Sequence, residues 1–386
     1  MLTYNKTTLE SLAIHEAAEE AADLNLISSQ KETEIKTHYI VDLFSPNIFV
    51  RIGLGLLTIF IVLSSVGLIG LMTNFSSPLV LMMLFAGGCF AVLSYMTTNK
   101  KHFNSGVDHV LMMAIIIFFT AAILEMIPAG INENLPASAI VCFISLCFFF
   151  RFADSIMAVV SFGALVVFMV NVGIYLGSSA KIILPFIMMA FAAAVYFVCK
   201  TSKSERMLVY YAKAVFVLQI LSAILFYVAG NYFIVAEFSK VILPGAANTP
   251  LPMLFRYFLS SFTILIPLGY VTAGIKYKDV ILCRVGIVCT AIAILTYRYY
   301  YSILSAEAAM VLAGIIVCLS AYLLTKYLKK PKSGFIFENI KRRQQDTANL
   351  GGVVIAETFG HSKANPQQVT TFGGGSFGGA GAGDRF

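Results

Sequence analysis

About ten apolar runs of near-spanning length dominate this chain: 52–72, 78–97, 107–127, 135–150, 154–177, 181–200, 208–230, 253–275, 279–298 and 303–327. Crossing about 30 Å of hydrocarbon takes roughly 20 residues at about 1.5 Å rise per residue. Within lipid, backbone N–H and C=O groups must pair inside their own segment, so each run is expected to be helix. The pattern predicts an all-α protein, a polytopic transmembrane helical bundle of about ten spans. Composition agrees, with 59% of 386 residues hydrophobic, only 12% charged, and a mean hydropathy of +0.84. Soluble domains carry roughly 25% charged residues and cover themselves with polar groups, which this chain cannot do. With no Trp among 386 residues, interfacial anchoring falls to Tyr, Lys and Arg.

Breakers separate the runs at Ser76-Ser77-Pro78, Pro128-Ala129-Gly130, Gly177-Ser178-Ser179 and Pro244-Gly245. Short loops favour antiparallel neighbours. Arg151 and Asp154 sit between the fourth and fifth runs, which predicts a tight hairpin, and Pro267 is expected to kink the eighth. Three regions follow: an amphipathic helical segment at 1–50, the bundle at 51–328, and a basic juxtamembrane segment with a Gly-rich tail at 329–386. In the first region, Thr7 or Thr8 is expected to cap one helix and Ser28 a second, with Glu32 following in the manner of a capping box. In the third, a β-prone piece at 352–356 precedes low-complexity sequence expected to be disordered. The first apolar run is expected to act as the insertion signal in place of a cleavable leader.

Charge sets the orientation. Lys100, Lys101, Arg151, Lys200, Lys203, Arg206, Lys276 and Lys278 fall in alternate loops, on the side of the tail cations. The other loops hold only Lys181, Lys240 and Arg298. The positive-inside rule therefore predicts both termini in the cytoplasm. The formal net charge of +7 needs no nucleic acid to explain it. Lys326, Lys329, Lys330, Lys332, Lys341, Arg342 and Arg343 form a polybasic stretch suited to anionic lipid. The expected partner is the lipid bilayer, with protein partners left open.

Leu24-Asn25-Leu26-Ile27-Ser28-Ser29-Gln30, with Ile35 and Tyr39 ahead of the first span, resembles the opening of domain of unknown function 2157, with Asn25 where that family carries Gly. Lys278-Asp279, Tyr299-Tyr300-Tyr301-Ser302-Ile303-Leu304, Gly314 and Leu323-Leu324 resemble the last two spans of domain of unknown function 4401. The likeness covers about the first 70 and last 110 residues. It implies a bacterial inner-membrane protein and brings no activity with it.

Sites of chemistry are sparse. Gly374-Gly375-Ser376-Phe377-Gly378 and the Gly373-x-Gly375-x-x-Gly378 spacing match nucleophile-elbow and dinucleotide patterns, but a glycine-saturated terminus lacks the strand–turn–helix context they require. The five His show no metal-ligand spacing, and no paired carboxylates or nucleophile–base set appears, so no metal, no cofactor and no catalytic activity are expected. The seven Cys lie in apolar runs without a C-x-x-C pair and read as small buried hydrophobes. Ionisable residues near span ends remain. Glu125, Arg256, Arg298 and Glu307 all fall at the predicted outer leaflet, where Tyr297 and Tyr299–Tyr301 also sit. Together they would make a polar, aromatic-lined pocket for a small solute, with the arginines offering donors to an anion. Alternatively these side chains snorkel to the interface, and Arg298 pairs with Glu307. Deeper in the spans, Asn171 and Gln219 are expected to be interhelical hydrogen-bond partners, and Arg284 to snorkel. Two function classes follow: transport or sensing of a small solute through that pocket, or a structural or assembly partner in the cell envelope.

Overall fold

The computed structural model describes residues 3–23, 26–74, 77–128, 133–175, 180–202, 210–242 and 253–301, with scattered positions between 308 and 326. The chain divides into two units, Met1–Leu319 and Ser320–Phe386. All twelve helices among the described residues belong to the first, which is all-α; its one bridge joins Phe44 to His102. The second unit contributes only Tyr322 and Lys326 to the described residues. Most of the tenth expected span, the 352–356 piece and the Gly-rich tail lie outside them.

Nine described helices are long and apolar enough to cross a membrane. They are α3 (Ile48–Met72), α4 (Pro78–Thr98), α5 (Val107–Glu125), α6 (Asn134–Phe152), α7 (Ser155–Tyr175), α8 (Ala180–Ser202), α9 (Ala212–Gly230), α11 (Met253–Lys276) and α12 (Val280–Tyr301). Each falls on one of the apolar runs, and the chain is a multi-pass membrane protein. The fourth run, 135–150, is extended because Arg151 and Phe152 stay helical up to a left-handed Ala153 (φ 52°). One helix has no counterpart among the expected spans: α10 (Tyr232–Ile242), too short to cross, within the 231–252 segment. Asn231 starts it, its Oδ1 accepting from the Phe233 and Ile234 N–H at 3.0 and 3.4 Å. α11 runs through Pro267 as one helix.

The other two helices outside the spans precede them: α1 (Lys6–Asp23) and α2 (Ser29–His38). Ser28 caps α2, its side chain accepting from the Lys31 N–H. Neither Thr7 nor Thr8 caps α1. The helix begins earlier, and Asn5 Oδ1 accepts from the Thr7 N–H at 3.2 Å. Asn is as strong an N-cap as Thr and sits where the chain turns. Lys36 on α2 binds Glu19 of α1 and its own Glu32 at 2.6 and 2.8 Å, fastening the two helices.

Eight of the nine spans form four antiparallel hairpins, α4–α5, α6–α7, α8–α9 and α11–α12, and α3 packs on α5. They stand side by side: α5 meets α6, α7 meets α9, and α9 meets α11 and α12. One core joins α4–α7 around Leu93, Met112, Phe149 and Met157, and takes in Tyr4 and Leu9 from the N-terminal segment. A second joins α7–α9 to α11 and α12 around Met189, Tyr227, Ile266 and Cys289. In the last hairpin the backbones approach closely. A Cβ on Gly274 would lie 2.7 Å from the Cys283 N, and one on Gly286 2.9 Å from the Val271 N. Small residues at helix crossings permit such contact where lipid offers no hydrophobic drive.

Candidate functional site

The turns 99–106, 153–154 and 277–279 share one end of the bundle with α1 and α2. Three contacts fix this: Tyr211 Oη donates to Phe150 O at 2.8 Å, Lys213 binds Glu16 at 2.6 Å, and Lys200 binds Asp279 at 3.0 Å. Here lie three buried ionisable residues, Asp108, His109 and Asp154. A charge at a span end is costly unless paired and hydrogen-bonded, so the site must satisfy every oxygen.

Asp108, in the first turn of α5, gathers its partners locally on one oxygen. Its Oδ1 accepts from the Ser105 N–H at 3.0 Å, the Ser105 hydroxyl at 3.2 Å, the Gly106 N–H at 2.9 Å and the His109 N–H at 3.1 Å. Gly106 makes that wrap possible with φ of +89°, and a Cβ there would sit 2.2 Å from the Arg51 carbonyl oxygen of α3. Asp154 divides its two oxygens. Oδ1 caps α7, accepting from the Ile156 and Met157 N–H at 2.6 and 3.1 Å, while Oδ2 lies 2.6 Å from His109 Nε2. The same nitrogen lies 3.1 Å from Asn104 Oδ1.

The N-terminal segment closes over this cluster. Tyr4 Oη donates to His102 O at 2.7 Å, its ring meets Phe103 and Phe152 edge-on, and Thr3 N–H donates to Arg151 O at 2.9 Å. Burial, and after it the Asp108 and Asp154 charges, push the Tyr4 phenol well above its ordinary pKa, so it stays a donor. The Phe44–His102 bridge and the Lys101–Asp42 ion pair bring the α2–α3 linker to the same loop. Thr3 Oγ1, Arg51 Nε and His102 Nδ1 are buried around this end without a protein partner.

A related turn stands in the other half. Arg151-Phe152-Ala153-Asp154 and Lys276-Tyr277-Lys278-Asp279 each run basic, aromatic, left-handed, Asp, with φ of 52° at Ala153 and 55° at Lys278. Asp279 also divides its oxygens: Oδ1 accepts from the Leu282 N–H at 3.2 Å, and Oδ2 from Tyr196 Oη at 2.6 Å and Lys200. Burial opposes its charge, but the hydrogen bonds from Tyr196, Lys200 and Leu282 outweigh it and hold the carboxyl below its usual range.

Of the residues expected to form the outer pocket, Glu125, Arg256 and Arg298 lie at the opposite end. Arg256, in the first turn of α11, stacks its guanidinium 5.7 Å from the Tyr232 ring centroid. Tyr297 meets Phe233 at 5.3 Å and donates to Ser260 O, so aromatic residues do gather there, and Arg298 follows Tyr297 in chain order. Glu125 ends α5, which packs chiefly on α3, α4 and α6, whereas α11 and α12 pack chiefly on each other and on α9. Glu307 lies outside the described residues, and with it the expected pairing to Arg298. A cavity of about 770 Å³ lies between α4, α5 and α6, with an entirely apolar lining that includes Gly87, Phe119 and Phe143. Asn171 binds across to α6, donating to Asn134 O at 3.1 Å and Ser138 Oγ at 3.2 Å. Gln219 is buried with its Oε1 unpaired, and Arg284 is exposed. Cys89, Cys199 and Cys289 are buried as expected of small hydrophobes, while Cys147 is exposed.

Sequence reasoning missed Asp108, Asp154, Asp279 and Tyr4, which read locally as turn or terminal residues. The signal available was Asp immediately before or within the first turn of an apolar span, where an uncompensated carboxylate is expensive. No group of three or more His, Cys, Asp or Glu fit to hold a metal ion occurs among the described residues. No family model, curated protein or solved structure matches this chain.

Proposed function

We propose that this multi-pass membrane protein is a non-catalytic assembly partner of the bacterial inner membrane, with both termini in the cytoplasm. The observation that carries the reading is α3. Only 6% of its apolar window is buried, against 44% for α5 and for α7, and its main contact is α5. Its contact side is used up by Gly55, Thr58 and Gly70. Gly53, Leu57, Phe60 and Ser64 share another side, all exposed, and a Cβ on Gly53 would meet nothing within 4 Å. Small residues facing lipid forgo contact area, whereas at a helix–helix interface they admit a partner backbone. Sidedness rests on Lys100, Lys101, Arg151, Lys200, Lys276 and Lys278 at one end of the bundle. The resemblance of the termini to bacterial membrane domains supports the compartment.

A small-solute transporter or sensor would draw on Glu125, Arg256, Arg298 and Glu307. Its support is limited to the Arg256–Tyr232 stack and the aromatic residues beside it, so the assembly reading leads. Photo-crosslinking from Phe60 in intact membranes tests it, with Val92 on α4 as the lipid-facing comparison. A discrete protein adduct at Phe60 and none at Val92 is expected. Lipid adducts alone at both positions contradict the reading.

A further inference from the structure

We propose that the His109–Asp154 contact is a proton-controlled latch that holds the N-terminal segment, residues 3–23, on the end of the bundle. The argument begins with a charge count. The charged groups acting on His109 are Asp108 on its own helix, Asp154 at the start of α7 and Arg51 on α3, and both carboxylates also act on the Tyr4 phenol. His102 sits in the adjoining loop beneath Tyr4, and Arg151 takes the Thr3 N–H on its backbone oxygen. Lys101 is engaged by Asp42. With the imidazole neutral, two buried carboxylates and one guanidinium act at this site, and one negative charge is uncompensated. With a proton on His109, the count closes: Nε2–H donates to Asp154 and Nδ1–H faces Asp108 Oδ1 at 4.0 Å.

An uncompensated charge in a buried place is relieved most cheaply by water. Along α4–α7 the cluster is walled by packed spans. The N-terminal segment is held on the bundle by few bonds among the described residues: the Tyr4–His102 and Thr3–Arg151 hydrogen bonds, the Glu16–Lys213 pair, and the burial of Tyr4 and Leu9. Tyr4 is 7% and Leu9 3% exposed, so lifting the segment admits solvent directly to the carboxylates. Loss of the proton therefore shifts the segment towards release, and gain of it towards docking. Histidine is the side chain suited to this, because its charge changes across neutral pH. Asp154 transmits the change to the bundle, since its other oxygen caps α7.

Hydrogen–deuterium exchange of the full chain in detergent or nanodiscs tests the latch. Protection of residues 3–23, corrected for intrinsic exchange, is followed from about pH 5 to about pH 8. The wild type is expected to lose protection in that segment by about tenfold as pH rises, while α5 and α7 stay protected. His109→Gln keeps a donor but no titratable proton and is expected to be flat. Asp154→Asn keeps an oxygen for the cap and closes the charge count without the proton, so it is expected to be flat as well, and it serves if His109→Gln does not purify folded. A wild-type profile without a step overturns the proposal, as does the same step in whichever variant folds.

Discussion

His109 Nε2 and Asp154 Oδ2 lie 2.6 Å apart, and they come from different hairpins. The contact links α5 to the start of α7 at the point where Asp154 caps that helix. One carboxylate thus serves as both cap and buried ion-pair partner. Asp154→Ala removes both roles and leaves His109 without its ion-pair partner, so a loss of about 3 kcal/mol is expected. Asp154→Asn retains an acceptor for the cap and is expected to cost roughly half as much. Thermal unfolding in detergent of both variants beside the wild type measures the difference; equal losses contradict the divided role.

Gly106 carries the second prediction. Its φ of +89° lies in the left-handed region, and a side chain there would drive into the Arg51 carbonyl oxygen, which is backbone and cannot swing aside. Gly106→Ala is expected to destabilise by about 2–4 kcal/mol. Gly163→Ala, where a Cβ meets nothing within 4 Å, is the control and is expected to change the melting temperature little.

Asp279 predicts an acid limb. Its folded-state carboxyl titrates below the ordinary value, so the stability it contributes is fully present above about pH 4 and is lost as pH falls through the lower folded value. Asp279→Asn is expected to be less stable than the wild type at neutral pH and to lack that part of the acid dependence. Tyr196→Phe, which removes one hydrogen bond to Oδ2, is expected to move the limb to higher pH. Melting temperatures between about pH 3 and pH 6 check both.

Asn171→Leu tests the interhelical hydrogen bonds to Asn134 and Ser138. A loss of about 0.6–2 kcal/mol is expected, in keeping with such bonds inside membranes. An unchanged melting temperature shows that the amide contributes nothing.

The spans were readable because hydrocarbon thickness sets their length and backbone pairing sets their type, both local properties of each run. For the same reason Ser28 was readable as a cap and Asn171 as an interhelical donor. α10 was not, because eleven residues between Asn231 and a Pro-bearing segment carry no span-length signal. The Asp108–His109–Asp154 cluster was not readable either. Its partners come from separate hairpins, and the pairing depends on which hairpins pack together, a tertiary outcome with no trace in local spacing. The outer residues were chosen on depth alone. Depth carried no information on Tyr232 as the neighbour of Arg256, nor on the neighbours of Glu125 across the bundle.

In the proposed topology the chain threads the bilayer with the His109–Asp154 end on the cytoplasmic face. Single cysteines at Thr73, Lys100, Arg151 and Lys276, all exposed positions, are introduced into a cysteine-depleted chain and probed with an impermeant thiol reagent. The account predicts that Thr73→Cys labels in intact cells, while Lys100→Cys, Arg151→Cys and Lys276→Cys label only after the membrane is opened. Labelling of all four from the same face contradicts it.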